Sequence, residues 1–301
     1  MADKEDLRWG IARRFELIEW RAYWLGRINR SDLEESFGVS TTQASTDLRT
    51  YQEAAPNNIV YDSTEKAYVP TSTFQPKYLR VSADRYLLQL GAILNGAISI
   101  ADTWFSSPPP ATVVQTLARP VEPTTLRSML RAITGRLEID MEYQSFTNTR
   151  QRAIAPHSLA FDGHRWHVRA WCVDSAEFRD FVLSRILSVG DDRNSNADPT
   201  HDVEWNTMIQ LQVIAHPELT DAHKSVIERD FGMKDGLLTI TTRAALAFYF
   251  IRRLNLDLGA DCLAPERLQI YLRNKDEVEA LIQVAKQKSQ VLISGKNPED
   301  A

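Results

Sequence analysis

Between Ser31 and Tyr51 the sequence announces two helices in quick succession, and few folds accommodate that. Ser31 stands three residues ahead of Glu34, and Ser40 three ahead of Gln43. In each pair a hydroxyl can cap a helix whose third residue reaches back to it. Gly38-Val39 leaves room only for a tight connection. Leu33 and Phe37 share one face of the first helix, and Ala44, Leu48 and Tyr51 form a core stripe on the second. Two short helices joined by a glycine-containing turn make a helix-turn-helix. The face of the second helix opposite that stripe shows Thr42, Gln43, Ser45, Thr46 and Arg49. These are short polar side chains that fit a DNA groove, with one arginine able to bond guanine in bidentate fashion. Ile59–Tyr61 and Ala67–Val69 flank a polar turn and predict a hairpin; as a wing it would bring Lys66 to the phosphates. The bland alternative is a polar helix face that meets only solvent.

Charge sets a condition on this reading. The whole chain carries a net charge of −5, and residues 1–80 hold 11 basic against 12 acidic residues. Such a module has little electrostatic attraction for DNA as a single copy. Binding therefore requires cations gathered on one side, with Arg27 and Arg30 ahead of the first helix, and two copies of the domain. The expected partner is double-stranded operator DNA of pseudo-palindromic sequence, bound by a homodimer.

The remaining chain is long enough for further domains, since 301 residues exceed one typical core and 43% of them are hydrophobic. Residues 81–123 read as a helical linker, interrupted by Ser106-Ser107-Pro108-Pro109-Pro110. The charge-free stretch Tyr86–Ala101 is too short and too polar for a membrane span and is expected to be a buried helix. Residues 124–195 open with a helix and turn β-rich, with strands expected over 139–143, 154–159, 165–171 and 178–186. Asp191–Thr200 reads as a linker, and residues 205–295 alternate strand and helix. The charged start, Met1–Arg8, has no leader character, and the two cysteines, Cys172 and Cys262, form no metal or disulfide pattern, so a cytoplasmic protein without membrane association is expected.

Strand alternation gathers a distinctive set of side chains in the β-rich region. Arg165, His167, Arg169 and Trp171 share one face of their strand, and Arg179, Phe181, Leu183 and Arg185 one face of the next. Pairing of the strands would bring His167, Arg169, Arg179 and Arg185 beside Tyr143, Ser145 and His157. Such a concavity suits an anion, above all a phosphate-bearing ligand. The alternative is that these arginines pair with Asp162, Asp174, Glu177 and Asp180 nearby.

Gly163-His164-Arg165-Trp166-His167-Val168-Arg169-Ala170, with Phe178-Arg179-Asp180-Phe181 and Ser184-Arg185-Ile186, resembles a WYL domain, the Sm-like β-sheet domain of bacterial transcription regulators. The Trp-Tyr-Leu run that names the domain is here Trp166-His167-Val168, which changes the chemistry of its middle position. The elements Ala44-Ser45, Asp47-Leu48, Ala55-Pro56-Asn57 and Tyr61-Asp62 resemble a narrower subgroup, homodimeric repressors found beside phage-defence gene clusters of the BREX and CBASS kinds. The resemblance covers nearly the whole chain. It implies an α+β multidomain protein: an N-terminal winged helix-turn-helix, a central Sm-like WYL sheet and a C-terminal α/β extension that buttresses the dimer. It further implies a nucleic-acid or nucleotide effector contacted by Tyr143, Ser145, His157, His167, Arg169, Arg179 and Arg185.

Catalysis finds no support in motifs. HExxH, GxSxG, GxGxxG and GxxxxGK[ST] are all missing, and His164 and His167 point to opposite faces of a strand, which disfavours zinc. No cofactor, metal or enzymatic activity is expected. The competing reading is an enzyme that processes nucleotides or nucleic acid on the arginine-lined sheet.

Overall fold

The computed structural model describes residues 9–115, 117 and 119–294, and the chain divides into two units, residues 1–117 and 118–301. The charged start 1–8, on which the expected lack of a leader rests, lies outside the described residues, as does residue 295 at the end of the expected C-terminal domain.

In the first unit α1 (Trp9–Leu25), α2 (Arg30–Phe37) and α3 (Thr41–Ala54) precede the antiparallel hairpin β1 (Ile59–Asp62) and β2 (Ala67–Pro70), and α4 (Ala83–Leu94) follows. Phe15, Ile18, Leu33, Ala44, Leu48 and Tyr51 form one apolar cluster, so the stripe read on the second helix is its core face. The first helix start is two residues earlier than expected. Asn29 is the cap and Asp32 Oδ2 accepts its N–H at 2.6 Å, in place of the Ser31/Glu34 pair. Asp32 is held there by Arg21 at 2.8 Å, a partner that local sequence does not reveal. Gly38 ends α2 at φ 63°, where glycine carries no Cβ penalty. Ser40 caps α3 by accepting the Gln43 N–H at 3.2 Å, but the Gln43 side chain turns to Asp47 at 2.9 Å and leaves that box half-formed.

Glu19 fastens α1 to the chain beyond the wing. Its buried carboxylate accepts the N–H groups of Lys77, Tyr78 and Leu79 at 2.7, 2.6 and 2.6 Å and the Tyr51 hydroxyl at 3.0 Å. Four donors satisfy the charge without a cation. The helix expected to be buried over 86–101 is corrected: α4 ends at Leu94, cut by Asn95-Gly96, and Leu90 is its buried residue while Leu87 and Leu88 are exposed.

The second unit begins with α5 (Pro123–Gly135), then β3 (Leu137–Gln144), β4 (Thr149–Phe161), β5 (Trp166–Cys172), β6 (Glu177–Val182) and β7 (Ile186–Asn194). These strands form one antiparallel sheet in the order β6-β5-β4-β3-β7. Its inner face packs Ile139, Met141, Tyr143, Ile154, Val168 and Phe181 against Met129 and Ala132 of α5. Two expectations are corrected here. The candidate strand over 178–186 is broken by a 3-10 turn at Leu183–Arg185, and the expected linker begins as an edge strand, β7. Polar residues suit that edge because Arg193 bonds Asp140 at 2.9 Å and meets Glu138 across the strand pair.

Beyond the sheet come α6 (Val203–Asn206), β8 (Met208–Ala215), α7 (Asp221–Asp230), β9 (Leu238–Arg243), α8 (Ala244–Arg253), α9 (Pro265–Leu268), β10 (Ile270–Leu272) and α10 (Lys275–Ser294). Strand and helix alternate as expected, and the strands pair antiparallel in the order β10-β8-β9. Among the described residues no helix is long and apolar enough to cross a membrane.

Candidate functional site

On α3, Thr42, Ser45, Thr46 and Arg49 fall at i, i+3, i+4 and i+7, a continuous stripe opposite the buried Ala44, Leu48 and Tyr51. Thr42 and Arg49 are exposed, and Arg49 has no hydrogen-bond or ion-pair partner among the described residues. The hydroxyls of Ser45 and Thr46 donate to the carbonyls of Thr41 and Thr42 at 2.8 and 3.0 Å, which turns their lone pairs outward. Arg30, at the start of α2, reaches Ser45 Oγ at 3.5 Å and adds a cation to the stripe. Gln43 lies off it, its amide nitrogen committed to Asp47, which Arg14 holds at 2.7 Å. Lys66 is exposed at the wing turn beside Asp62 and Glu65, so the tip offers one cation against two carboxylates. The cations that α2 and α3 bring to this stripe are Arg30 and Arg49.

The sheet separates the seven residues expected to meet at an effector. Cross-strand partners project to the same side of a sheet. Arg169 is paired with Asp180, and Arg179 with Ala170, a core-facing residue. Arg169 and Arg179 thus point to opposite faces, and the expected convergence of all four cationic residues is corrected. Alternation holds within Trp166–Cys172 and within Glu177–Val182, and the pairing between these strands sets Arg179 on the face opposite Arg169.

On the outer face His157 and Arg169 do come together, around a residue the sequence reading missed. Asp202 is fully buried at the start of α6, where it accepts the Trp205 N–H at 3.1 Å. Arg169 bonds it through Nε at 2.7 Å and Nη2 at 2.9 Å, and His157 Nε2 lies 3.0 Å from the same carboxylate. Glu204 at 3.3 Å and Asp180 at 3.5 Å complete the surroundings of Arg169. Burial alone would raise the Asp202 carboxyl, but the bonds from Arg169 and His157 bring it down to about 2. Burial would lower the Arg169 guanidinium, and the carboxylates of Asp202, Asp180 and Glu204 raise it instead. His167 is buried against the Tyr249 ring at 4.9 Å, with Nε2 2.9 Å from Asp162. These three residues are structural ties between the sheet and the segment that follows it. A cavity of about 270 Å³ lies beside His157, walled by Phe178 and Trp205.

The other members sit elsewhere. Tyr143 belongs to the inner core and its hydroxyl accepts the Val182 N–H at 3.2 Å. Ser145 closes the β3–β4 turn by accepting the N–H groups of Thr147 and Asn148 at 3.2 and 3.0 Å. Arg179 is exposed and pairs with Glu177 at 2.6 Å, the alternative the sequence allowed, and Arg185 lies 4.2 Å from the centre of the Phe146 ring. The inner face also holds Arg152, which sequence reading passed over in the polar run before β4's apolar stretch. Its side chain is buried, with Nη1 3.9 Å from Cys172 Sγ and the guanidinium 5.8 Å from the Phe181 ring. Its Nε has no partner, and among the described residues it makes no ion pair with any carboxylate. Cys172 pairs across the sheet with Glu177, two residues from Arg179, so Arg152 and Arg179 share this side. Among the described residues no group of three or more His, Cys, Asp or Glu is placed to hold a metal ion.

Comparison with known proteins matches this architecture segment by segment. Residues 10–92 match the BrxR transcriptional regulator winged helix-turn-helix domain, 124–190 the WYL domain, and 208–278 the BrxR transcriptional regulator C-terminal dimerization domain. The DNA-binding transcriptional repressor CapW of Escherichia coli (strain KTE188) is 39% identical over 281 residues, which cover 93% of this chain and 94% of that one. CapW of Stenotrophomonas maltophilia is 36% identical over 276 residues (91% and 92%), and CapW of Pseudomonas aeruginosa 37% over 285 (93% and 94%). Among solved structures, proteasome accessory factor B/C of Arthrobacter aurescens aligns over 94% of this chain and 48% of that one, with a TM-score of 0.24 and 12% identity, too low to establish a shared arrangement.

Proposed function

The chain belongs to the family of DNA-binding transcriptional repressors that includes CapW, and from that premise we propose that it is a homodimeric, non-enzymatic repressor in the cytoplasm, controlling a phage-defence operon and released by an anionic effector. Operator DNA is read by the α3 stripe of Thr42, Ser45, Thr46 and Arg49, with Gln43 positioned by Asp47 and Lys66 at the wing. The near balance of charge in residues 1–80 makes the second copy, joined through the C-terminal domain, a requirement for affinity.

The observation that carries the sensing half is the unpaired Arg152. A guanidinium buried without a carboxylate is costly, and an anion beside it removes that cost. Arg179, tied only to an exposed glutamate partner, and Arg185, which has an aromatic ring in place of a carboxylate, extend the cationic character. A nucleic-acid or nucleotide phosphate is the ligand class that planar arginine forks suit. The effector acts by linkage: if it prefers the dimer geometry that cannot span the operator, it shifts the population away from DNA. The strands that hold Arg152 on one side carry Arg169 and His157 on the other, so a shift of the sheet is felt at Asp202, ahead of the dimerization segment.

The test is a double substitution, Arg179→Ala with Arg185→Ala, measured by gel shift and by induction of a reporter. Operator binding should be retained and induction lost. Loss of repression in a stable, dimeric double variant would refute the sensing assignment.

A further inference from the structure

A second group of arginines belongs neither to the recognition helix nor to the inner face of the sheet. The β4–β5 turn faces the C-terminal end of α8 across a cavity of about 350 Å³, lined by Asp162, His164, Arg165, Tyr249, Arg252 and Arg253. Its one lining carboxylate is already engaged. Asp162 accepts the N–H groups of His164 and Arg165 at 2.8 Å each and Arg165 Nε at 3.0 Å, and stands 2.9 Å from His167 Nε2. Tyr249 donates its hydroxyl to Asp180 at 3.0 Å. The remaining cations are nearly free. Arg252 is 3.9 Å from Asp257, at the edge of ion-pair range, and 5.4 Å from the exposed Phe248 ring, which also lines the cavity. Arg253 and the His164 ring have no hydrogen-bond or ion-pair partner among the described residues.

Arginines in the last turn of a helix gain from its dipole wherever they point. That effect accounts for Arg252 and Arg253 as residue types but not for what lies under one of them. Gly163 has φ +94°, and a Cβ built on it would overlap the Arg253 guanidinium. The backbone conformation favours glycine at position 163, and the Arg253 guanidinium takes the space that a Cβ there would fill. Arg253 lies over the turn with its side chain exposed to solvent.

We propose that this cavity is a phosphate site in which Arg252, Arg253, His164 and Arg165 hold a phosphate group of a nucleic-acid strand or a free nucleotide, with Phe248 as a stacking surface for the attached base. Planar guanidinium forks match phosphate oxygens, and an aromatic ring beside them accepts a base of any identity. The site is separate from Arg152, Arg179 and Arg185 and does not rest on the effector reading.

The test uses the full chain in fluorescence anisotropy with two probes, a short labelled single-stranded oligonucleotide lacking operator sequence and a labelled ATP. Arg252→Ala with Arg253→Ala should weaken at least one probe by about tenfold or more. For the oligonucleotide, the slope of log affinity against log salt should fall by about 0.7, the value for one phosphate no longer neutralised. The pair Arg252→Lys and Arg253→Lys should fall between the wild type and the alanine pair. Gly163→Ala, its fold checked by melting, should weaken the same probe by displacing Arg253. A loss confined to the oligonucleotide identifies a strand backbone, and one confined to ATP a free nucleotide. Unchanged affinity for both probes in an alanine pair of unaltered melting temperature would overturn the site. Arg179→Ala with Arg185→Ala, run in parallel, reports on the effector face alone, so either reading can fail without the other.

Discussion

Replacing Asp202 by alanine removes the carboxylate on which the outer face of the sheet converges, and its cost can be worked out in two ways. Arg169 is buried and would keep only Glu204 at 3.3 Å and Asp180 at 3.5 Å, while His157 would lose the partner of its Nε2. Removing one member of a buried ion pair costs about 3–5 kcal/mol, and the two surviving carboxylates place this case at the lower end, about 3 kcal/mol. The second route is titration. The Asp202 carboxyl is held at about 2 against an ordinary 3.8, and at 1.36 kcal/mol per pH unit that difference is worth about 2.4 kcal/mol. The two figures agree within the precision of either.

The titration also fixes the direction of the pH dependence. A carboxyl lowered by folding stabilises fully above its unfolded value, and that contribution vanishes as pH falls through its folded value. The gap between wild type and Asp202→Ala should therefore be widest near neutral pH and close from about pH 4 towards pH 2. Glu204, whose carboxyl is raised by burial, works in the opposite sense and softens the slope. Urea unfolding followed by far-ultraviolet circular dichroism at a series of pH values measures both quantities. A loss under about 1 kcal/mol near neutrality, or a gap that stays constant into acid, would refute the view that Asp202 anchors this face.

Arg49→Ala should reduce operator affinity by about 1–3 kcal/mol, or about five- to 160-fold, in a gel-shift titration; unchanged affinity would remove Arg49 from the reading face. Arg152→Met should leave the melting temperature unchanged or raised, since it replaces an uncompensated buried cation by an apolar chain of similar length, while induction is lost. A melting point lowered by more than a few degrees would mean that Arg152 is satisfied within the protein. Glu19→Ala should cost on the order of 3 kcal/mol in thermal melting, because three N–H groups and the Tyr51 hydroxyl lose their acceptor; a neutral outcome would show that water replaces the carboxylate.

The parts of the fold that local chemistry decides were readable in the sequence. Ser40, Gly38 and the Ala44, Leu48, Tyr51 stripe act within one or two turns of chain, and the helix-turn-helix stands where they place it. The shifted start at Asn29 comes from a partner outside that range, Arg21 with Asp32. The sheet illustrates the same limit more sharply. Alternation within Trp166–Cys172 is a local property, but whether Arg169 faces Arg179 or Asp180 depends on register, and a shift of one residue exchanges the faces. The 3-10 turn at Leu183–Arg185 removes Arg185 from the strand altogether. Asp202 lies in a polar stretch next to the expected linker, 33 residues from Arg169. Its one local signal is the cap it makes with Trp205, which marks a short helix start but not a salt-bridge partner.

Partnering sorts the seven expected effector residues better than residue type does. Arg169 is surrounded by three carboxylates and His167 and His157 each have one, so an incoming anion would have to displace a bonded carboxylate from a buried position to reach them. That exchange gains little, since one negative charge replaces another and the displaced carboxylate is left buried. Arg152, Arg185 and the exposed Arg179 face the reverse situation, since an anion arriving there adds compensation that the protein itself supplies weakly or not at all. The sheet therefore keeps Arg169 neutralised on its outer face, while on its inner face Arg152 is buried without a carboxylate and Arg179 has only Glu177. On the proposed reading, sensing falls to Arg152, Arg179 and Arg185 and anchoring to Arg169, so an effector would act without first dissolving the Asp202 bonds.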